Sequence, residues 1–395
     1  MADLRIVLGI SGGIAAYKTP SLVRLFQKGG FEVKVVLTTA ARSLVSDLTL
    51  HTVSGNPVYF DGPLGDWDME HIALAQWADF LLICPATANT IAKIAHGIAD
   101  NLLTSLALSF EKRIVIAPAM NTAMWENSAT KENIKTLITR GTHVLPVGEG
   151  ELACGDIGSG RLIELETIVD FIASLKTPKY FAHKKVLISL GPTCEPIDPV
   201  RVITNRSSGK MGAALARAAW LAGAQVTVVS GPTSVALPFA VKVVRVKTAL
   251  EMLAAMEGEF AQTDICILAA AVGDFRPANV HVEKINRHEN AVLNLELLAN
   301  PDIAAMLGAQ KRGTFLVGFS LETGGDDARP LEKMKKKNCD MMIVNLADVA
   351  LESDKSAARI LYADRPPENA KLQDKSLLAE LIIKRIALSM GLTHD

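Results

Sequence analysis

Short runs of Val, Ile and Leu recur between longer stretches of helical periodicity, and this alternation restricts the possible folds more than any other feature of the chain. It begins with Leu4 to Ile10, a helical pattern from about Ile14 to Lys28, and Glu32 to Thr38. Strands that are apolar on both faces must be covered on both faces, so the pattern predicts parallel sheets with helices packed on each side. Further strands are expected at Phe80 to Cys84, Arg113 to Ala117 and His143 to Val147, followed by a helix from about Leu165 to Leu175. The basic stretch KTPKYFAHKK then breaks the periodicity and reads as a linker. The pattern restarts at Lys185 to Leu190 and a helix from Met211 to Leu221. Strands follow at Gln225 to Ser230, Asp264 to Ala270, Thr314 to Ser320 and Met341 to Asn345, then an edge strand at Arg359 to Tyr362 and an amphipathic helix from Lys375 to Met390. The fold class is α/β, with two doubly wound, mainly parallel-sheet, Rossmann-like domains. Residues 1–177 form the first, 178–184 the linker and 185–395 the second.

The length of 395 residues fits that division, since one core stops growing near about 250 to 300 residues. Hydrophobic residues at 49% supply two cores. Lys and Arg total 41 against 42 for Asp and Glu, which leaves no global field for a nucleic acid or an acidic membrane surface. The opening MADLRIVLGISGG reads as a first strand and not a secretory leader, and no apolar run is long enough to span a bilayer, so a cytoplasmic location is expected. The five cysteines are scattered, without a C-x-x-C pair, which argues against a structural zinc or a disulfide framework.

In such sheets ligands bind beyond the carboxyl ends of the strands. In the first half that rule selects SGGIAAYK, TTA, PATAN, PAMN and the later loop ACGD. Ser11, Gly12 and Gly13 precede a helix and offer bare backbone N–H groups to an anion. The spacing does not match G-x-G-x-x-G, because Ser11 and Ile14 stand where glycines are needed, so a mononucleotide phosphate suits the turn better than NAD. Asn121 could cap a short helix and His71 could be a satisfied surface or core histidine. Cys154 lies among glycines on an aperiodic loop and lacks the packing role open to Cys84 and Cys266.

SGGIAAYK, His71, PATAN, PAMN and ACGDIGSGR together resemble the FMN-dependent cysteine decarboxylases, phosphopantothenoylcysteine decarboxylase in particular. The resemblance implies FMN held by Ser11, Gly12, Gly13, Ile14 and Thr38 with the turn Thr87, Ala88 and Asn89. It implies His71 and Asn121 at the substrate and Cys154 as proton donor. The residue types suit the reaction, because loss of CO2 from a cysteine carboxyl strands an electron pair that a flavin can accept and return. A thiol near its ordinary pKa of about 8.5 is mostly protonated at neutral pH and can supply the proton.

In the second half, GPTCEPIDPVRVITNRSSGKMG invites comparison with a P-loop but has Thr204 and Met211 where that motif needs glycine and Ser or Thr. Asn205, Ser207, Ser208 and Gly209 still precede a helix N-terminus, which favours an anion. With SGP at Ser230 to Pro232, AAAVGDF, EKI at Glu283 to Ile285, NPDI and GFSLET, the string resembles phosphopantothenate–cysteine ligase, which in bacteria commonly follows the decarboxylase in one chain and uses CTP. The resemblance implies Asn205 at the acyl intermediate and CTP contacts from Asp274, Lys284, Asn300, Pro301, Asp302, Ile303 and Phe319. Lys333 and Lys337 stand four apart on a helix and can reach one ligand, although KMKKK could also be a solvated face. Mg2+ or Mn2+ would be held mainly by the CTP phosphates. Where the family often reads KIKK, this chain reads KINR, so Asn286 lowers the charge beside Lys284.

The resemblance therefore implies a bifunctional enzyme acting on 4'-phosphopantothenate, cysteine and CTP. It also implies a homo-oligomer, with decarboxylase trimers and ligase dimers combining into a dodecamer. Two other classes stand beside it: a flavin oxidoreductase with a fused nucleotide-binding domain, and a regulatory flavoprotein in which the decarboxylase fold is a binding module.

Overall fold

The computed structural model describes residues 4–61, 69–151, 155, 157–286, 292–322, 327–346 and 353–393. By its internal contacts the chain divides into Met1–Ile172 and Ala173–Asp395. The stretch 178–184, expected as a linker, packs with the second unit. Phe181 is fully buried in that unit's core and its N–H bonds the Ala222 carbonyl at 2.9 Å.

In the first unit the apolar runs become β1 (Leu4–Ile10), β2 (Phe31–Leu37), β3 (Val58–Phe60), β4 (Phe80–Ala86), β5 (Arg113–Pro118) and β6 (His143–Val144). They pair in parallel in the order β3-β2-β1-β4-β5-β6. The strand order reverses between β1 and β4, and a crevice opens there at the carboxyl edge. The helix expected from Ile14 starts as a 3-10 turn, Ile14–Lys18, and becomes α-helical only at Thr19–Lys28. Pro20 explains the break, since a residue without an N–H is tolerated only in a helix's first turn. β6 is shorter than expected. Beyond it the chain forms an antiparallel hairpin, β7 (Gly148–Glu151) and β8 (Ile157–Arg161).

The second unit repeats the plan and extends it. β9 (Lys185–Leu190) carries an antiparallel pair, β10 (Cys194–Pro196) and β11 (Val202–Thr204). The main sheet continues with β12 (Gln225–Ser230), β13 (Lys242–Arg245) and β14 (Ile265–Leu268), and a second small pair is β15 (Phe275–Pro277) with β16 (Leu297–Ala299). β17 (Phe315–Glu322), β18 (Met341–Leu346), β19 (Lys355–Tyr362) and β20 (Glu368–Asp374) complete the order β13-β12-β9-β14-β17-β18-β19-β20. β19 is not the edge; β20 pairs antiparallel outside it. Most of β20 is exposed and carries no apolar alternation, so it left no pattern in the sequence.

Alternation along β9 divides the core in two. Val186, Ile188 and Leu190 enter one cluster and Leu187 the other. Helix Lys375–Ser389 covers the first with Leu378, Ile382 and Ile386, one residue per turn. Helix Ala249–Phe260 covers the second with Met252, Met256 and Phe260.

Candidate active sites

In the first unit Ser11 leaves β1 almost fully buried. Its hydroxyl donates to the Pro85 carbonyl at 2.7 Å and accepts the Thr87 N–H at 3.0 Å. One side chain thus ties the turn after β1 to the turn after β4, across the point where the strand order reverses. Gly12 and Gly13 are there for space: a Cβ on Gly12 would fall onto that of Ala40, and one on Gly13 would lie 3.3 Å from Thr87 Cγ2. The Thr38 hydroxyl accepts the Ala41 N–H at 3.3 Å, and Thr87 caps helix Ala88–His96 through the Thr90 N–H at 3.3 Å.

These turns border a cavity of about 1100 Å³. Ile14, Tyr17 and Met124 face it and are 59%, 62% and 47% exposed, a large apolar area for one concave site. Its charged lining is balanced, with Lys18, Lys93 and Arg161 against Asp61, Asp100 and Glu151. Within that lining Lys93 pairs with Asp100 at 2.6 Å, and Arg161 pairs with Glu164 outside it at 3.2 Å.

In the second unit β9 does not lead straight into its helix. The chain first runs through 192–209, including β10 and β11, and reaches helix Lys210–Leu221 through Gly209, whose φ of +76° favours glycine. Pro192 bridges Ala271 beyond β14, and the Thr193 hydroxyl accepts the Gly273 N–H at 2.9 Å, so both sides of this crevice are stitched as well. The carboxamide of Asn205 donates to the Val272 carbonyl at 3.0 Å, and that of Asn300 to the Gly273 carbonyl at 2.8 Å. Asp302 caps helix Ile303–Gln310 through the Ala305 N–H and also meets Lys337 at 3.1 Å.

The cavity between these loops measures about 790 Å³. Arg206, Lys210, Arg329, Lys333, Lys337 and Lys375 line it against Asp274 and Asp302, six cations to two carboxylates, and such a surface selects a polyanion. Arg329, Lys333 and Lys337 stand at four-residue spacing along helix Ala328–Lys336 and its C-cap, which places them on one face. Lys210 pairs with Asp354 at 2.6 Å. Asn345 Oδ1 is buried in the wall without a hydrogen-bond partner among the described residues. Among the described residues no group of three or more His, Cys, Asp or Glu side chains could hold a metal ion. No helix among them is long and apolar enough to cross a membrane.

Two family models match the chain, Flavoprotein over residues 1–177 and the DNA/pantothenate metabolism flavoprotein C-terminal domain over residues 181–390. The coenzyme A biosynthesis bifunctional protein CoaBC of Vibrio vulnificus (strain CMCP6) is 41% identical over 399 residues, covering 99% of both chains. The chain belongs to the family of bifunctional coenzyme A biosynthesis proteins. The protein of the same name from Escherichia coli (strain K12) is also 41% identical, over 98% of this chain and 97% of its own. A solved C-terminal domain of a coenzyme A biosynthesis bifunctional protein is 35% identical, covers 54% of this chain and 98% of its own, and superposes with a TM-score of 0.47.

Within this bifunctional chain, Gly12, Gly13, Ile14, Thr38, Thr87, Asn89 and Asn121 come together around the first cavity. Ser11 stands behind the lining and braces it, and Ala88 is half-buried in the capped helix turn. Asn121 does cap helix Thr122–Glu126, its carbonyl oxygen accepting the Ala123 N–H at 2.8 Å, while it also lines the cavity. His71 is half-buried near the start of helix Glu70–Trp77 and is not part of the lining. Cys154 lies outside the described residues.

Around the second cavity Asn205, Asp274, Asn300, Pro301, Asp302, Ile303, Phe319, Lys333 and Lys337 come together. Lys284 is exposed and outside the lining. Its neighbour Ile285 is tied to the 192–209 excursion, its N–H to Asp198 at 3.1 Å and its carbonyl to Arg201 at 3.1 Å. Burial pushes the Asp198 carboxyl up, but the N–H groups of Val200, Ile285 and Arg201 and the Arg201 guanidinium outweigh it and hold the pKa at about 2.

Sequence reasoning missed Lys93, Arg329 and Lys375, and it gave no individual role to Asn345 or to Lys18, Arg161, Arg206 and Lys210, which lie inside motifs it singled out. Four-residue spacing from Lys333 back to Arg329 could have revealed that residue. Lys375 offered no such signal, because it reaches the site only through the packing of the last helix.

Proposed function

We propose that the chain makes 4'-phosphopantetheine in two steps, joining 4'-phosphopantothenate to cysteine in the second unit and decarboxylating the product in the first. The observation that carries this reading is a pair of crevices at equivalent switch points with opposite linings, one apolar and charge-balanced, the other strongly basic.

A carboxylate and an amine do not condense unaided. In the basic cavity the carboxylate of phosphopantothenate would attack the α-phosphorus of CTP and expel pyrophosphate, and the amine of cysteine would then displace CMP from the acyl cytidylate. Phosphate charge would be met by Lys333 and Lys337 with Mg2+ carried on the nucleotide, and by the N-terminus of helix Lys210–Leu221. Phe319, half-buried in the wall, offers a flat apolar face for a base. Asn205 lines the same cavity beside the carbonyls of Ala271 and Val272, and the acyl group would lie against it. Asp274 and Asn300 to Ile303 would close the nucleotide pocket.

The first cavity fits FMN. The N–H groups of Ser11 and Gly13, expected to be bare, are taken by the Pro85 and Ser11 carbonyls at 3.3 and 2.8 Å, so a phosphate beside Gly12 would be met mainly by the side chains of Thr38, Thr87 and Asn89. Ile14, Tyr17, Met120 and Met124 supply the apolar surface a ring system needs. When bound, the flavin would supply a reversible electron acceptor for the cysteine-derived CH2–SH group. The residues' own tasks are separate from that chemistry. The amide end of Asn121 would orient the leaving carboxylate, Cys154 would return a proton to carbon, and His71 would position a reacting group or take the thiol proton.

Purified protein given phosphopantothenate, cysteine, CTP and Mg2+ should release pyrophosphate, CMP and CO2. Pyrophosphate without CO2 would sink the decarboxylase half, and no turnover at all would favour a binding module. Sedimentation should give a homo-oligomer, with a dodecamer as the expected mass; a monomer would refute that assembly.

A further inference from the structure

Ser320 and Glu322 stand two apart at the end of β17, so both side chains leave the same face of the sheet. Glu322 is only 9% exposed. Its Oε1 accepts the Ser320 hydroxyl at 2.6 Å and the Lys333 ammonium at 2.6 Å, and Lys333 also donates to Ser320 Oγ at 3.2 Å. Proton counting makes the arrangement unambiguous. The single hydroxyl hydrogen of Ser320 goes to the carboxylate, which leaves its oxygen free to accept from Lys333. The carboxylate is held ionised by its partners, Lys333 first and then Ser320, which keep its pKa below the usual range. An ammonium has three N–H bonds, and two are used by Ser320 and Glu322. Lys333 itself lines the basic cavity.

We infer that Glu322 is the positioning residue for Lys333, clamping two of its N–H bonds so that the third is aimed at an oxygen of the bound nucleotide. This rests on reading the cavity as the CTP site. A lysine left on its flexible stem would have to be ordered as the nucleotide bound, whereas one held beforehand is already ordered. The buried carboxylate is suited to this task because it is backed by the sheet and reached only by Ser320 and Lys333 among the hydrogen bonds of the described residues.

The test is a double-mutant cycle on the full-length protein, measuring pyrophosphate release with CTP varied. Glu322→Gln should raise the KM for CTP about tenfold, leave kcat within about twofold and leave the KM for cysteine unmoved. Lys333→Ala should raise the CTP KM at least as much, and the double variant should match Lys333→Ala alone. Glu322→Asp, which keeps the charge, should recover most of the loss. An unchanged KM in Glu322→Gln overturns the inference, as does a Glu322→Gln effect that persists in full beside Lys333→Ala, since that would mark a merely structural role. If Lys333→Ala leaves the CTP KM unchanged, the nucleotide reading of the cavity fails and takes the inference with it. Should Glu322→Gln not fold, Ser320→Ala removes one of the two anchors. Its smaller rise, about two- to threefold, must likewise vanish beside Lys333→Ala.

Discussion

The two crevices share a strand order, and almost nothing else. The first opens directly from β1 into a glycine turn and is lined by exposed Ile14, Tyr17 and Met124 with three charges of each sign. The second inserts 192–209 between β9 and its helix and gathers six cations against two carboxylates. The sheet determines where a ligand can sit, at the edge where strand order reverses; the connections beyond the strands decide which ligand that is. On the proposed reading, one sheet topology would hold a flat cofactor in one unit and a polyanionic substrate in the other.

The largest expected effect comes from separating the two sites. Gly12→Val should drive a side chain into Ala40, strip the visible flavin absorbance from the purified protein and lower decarboxylation by at least about a hundredfold, while pyrophosphate release stays within about twofold. Equal loss of both activities would dissolve the comparison. Next, raising ionic strength from about 0.05 to about 0.5 M should increase the CTP KM about tenfold and affect decarboxylation much less, because only the second cavity has unbalanced charge. An equal response of both reactions would argue against the contrast in lining.

Ser11→Ala should cost about 1–3 kcal/mol and be visible as a lowered melting transition, since it leaves the Thr87 N–H without its partner, while the Pro85 carbonyl keeps the backbone N–H of residue 11. The second unit has its own pH-sensitive stitch in Asp198. Its folded pKa of about 2 lies below the value of about 3.9 expected in an unfolded chain, so its contribution is present above about pH 4 and is lost as the pH falls toward 2. Asp198→Asn should therefore flatten part of the acid limb of the unfolding profile; an unchanged limb would remove Asp198 from that role. At the smallest end, Lys335→Ala and Lys336→Ala, both exposed and away from the cavity, should leave the CTP KM within about a factor of two. A loss as large as that of Lys333→Ala would mean that overall helix charge, and not a directed side chain, governs binding.

Much of this was legible in the residues. β1, β9 and β12 have the bounds that their apolar runs suggested, because a strand buried on both faces must be apolar at consecutive positions. Helix Lys375–Ser389 was readable from the one-per-turn spacing of Leu378, Ile382 and Ile386. The small pairs were not readable. β7 is GEGE and β8 is IGSGR, held by each other's backbone and by the Met120 N–H on the Gly160 carbonyl at 2.9 Å and not by apolar side chains, so neither carries a pattern. For the same reason the segment of Lys284 could not be placed from its motif; its position depends on a hydrogen bond between Ile285 and Asp198, far apart in sequence.

By itself, then, the sequence determined the two sheets, the glycine turn at Gly12 and Gly13, and which chemical groups stand beyond the strands, since each of these follows from local periodicity or from residue type. Only the tertiary structure decided the state in which those groups meet. It paired Lys333 with Glu322 and Lys337 with Asp302, brought Lys375 from the last helix to the same cavity as Arg206, and gave Asn121 a capping duty beside its place in the wall. The physical reason is that hydrogen bonds and ion pairs act over a few ångströms of space whatever the separation along the chain, and that proximity exists only after the sheets have closed their registers.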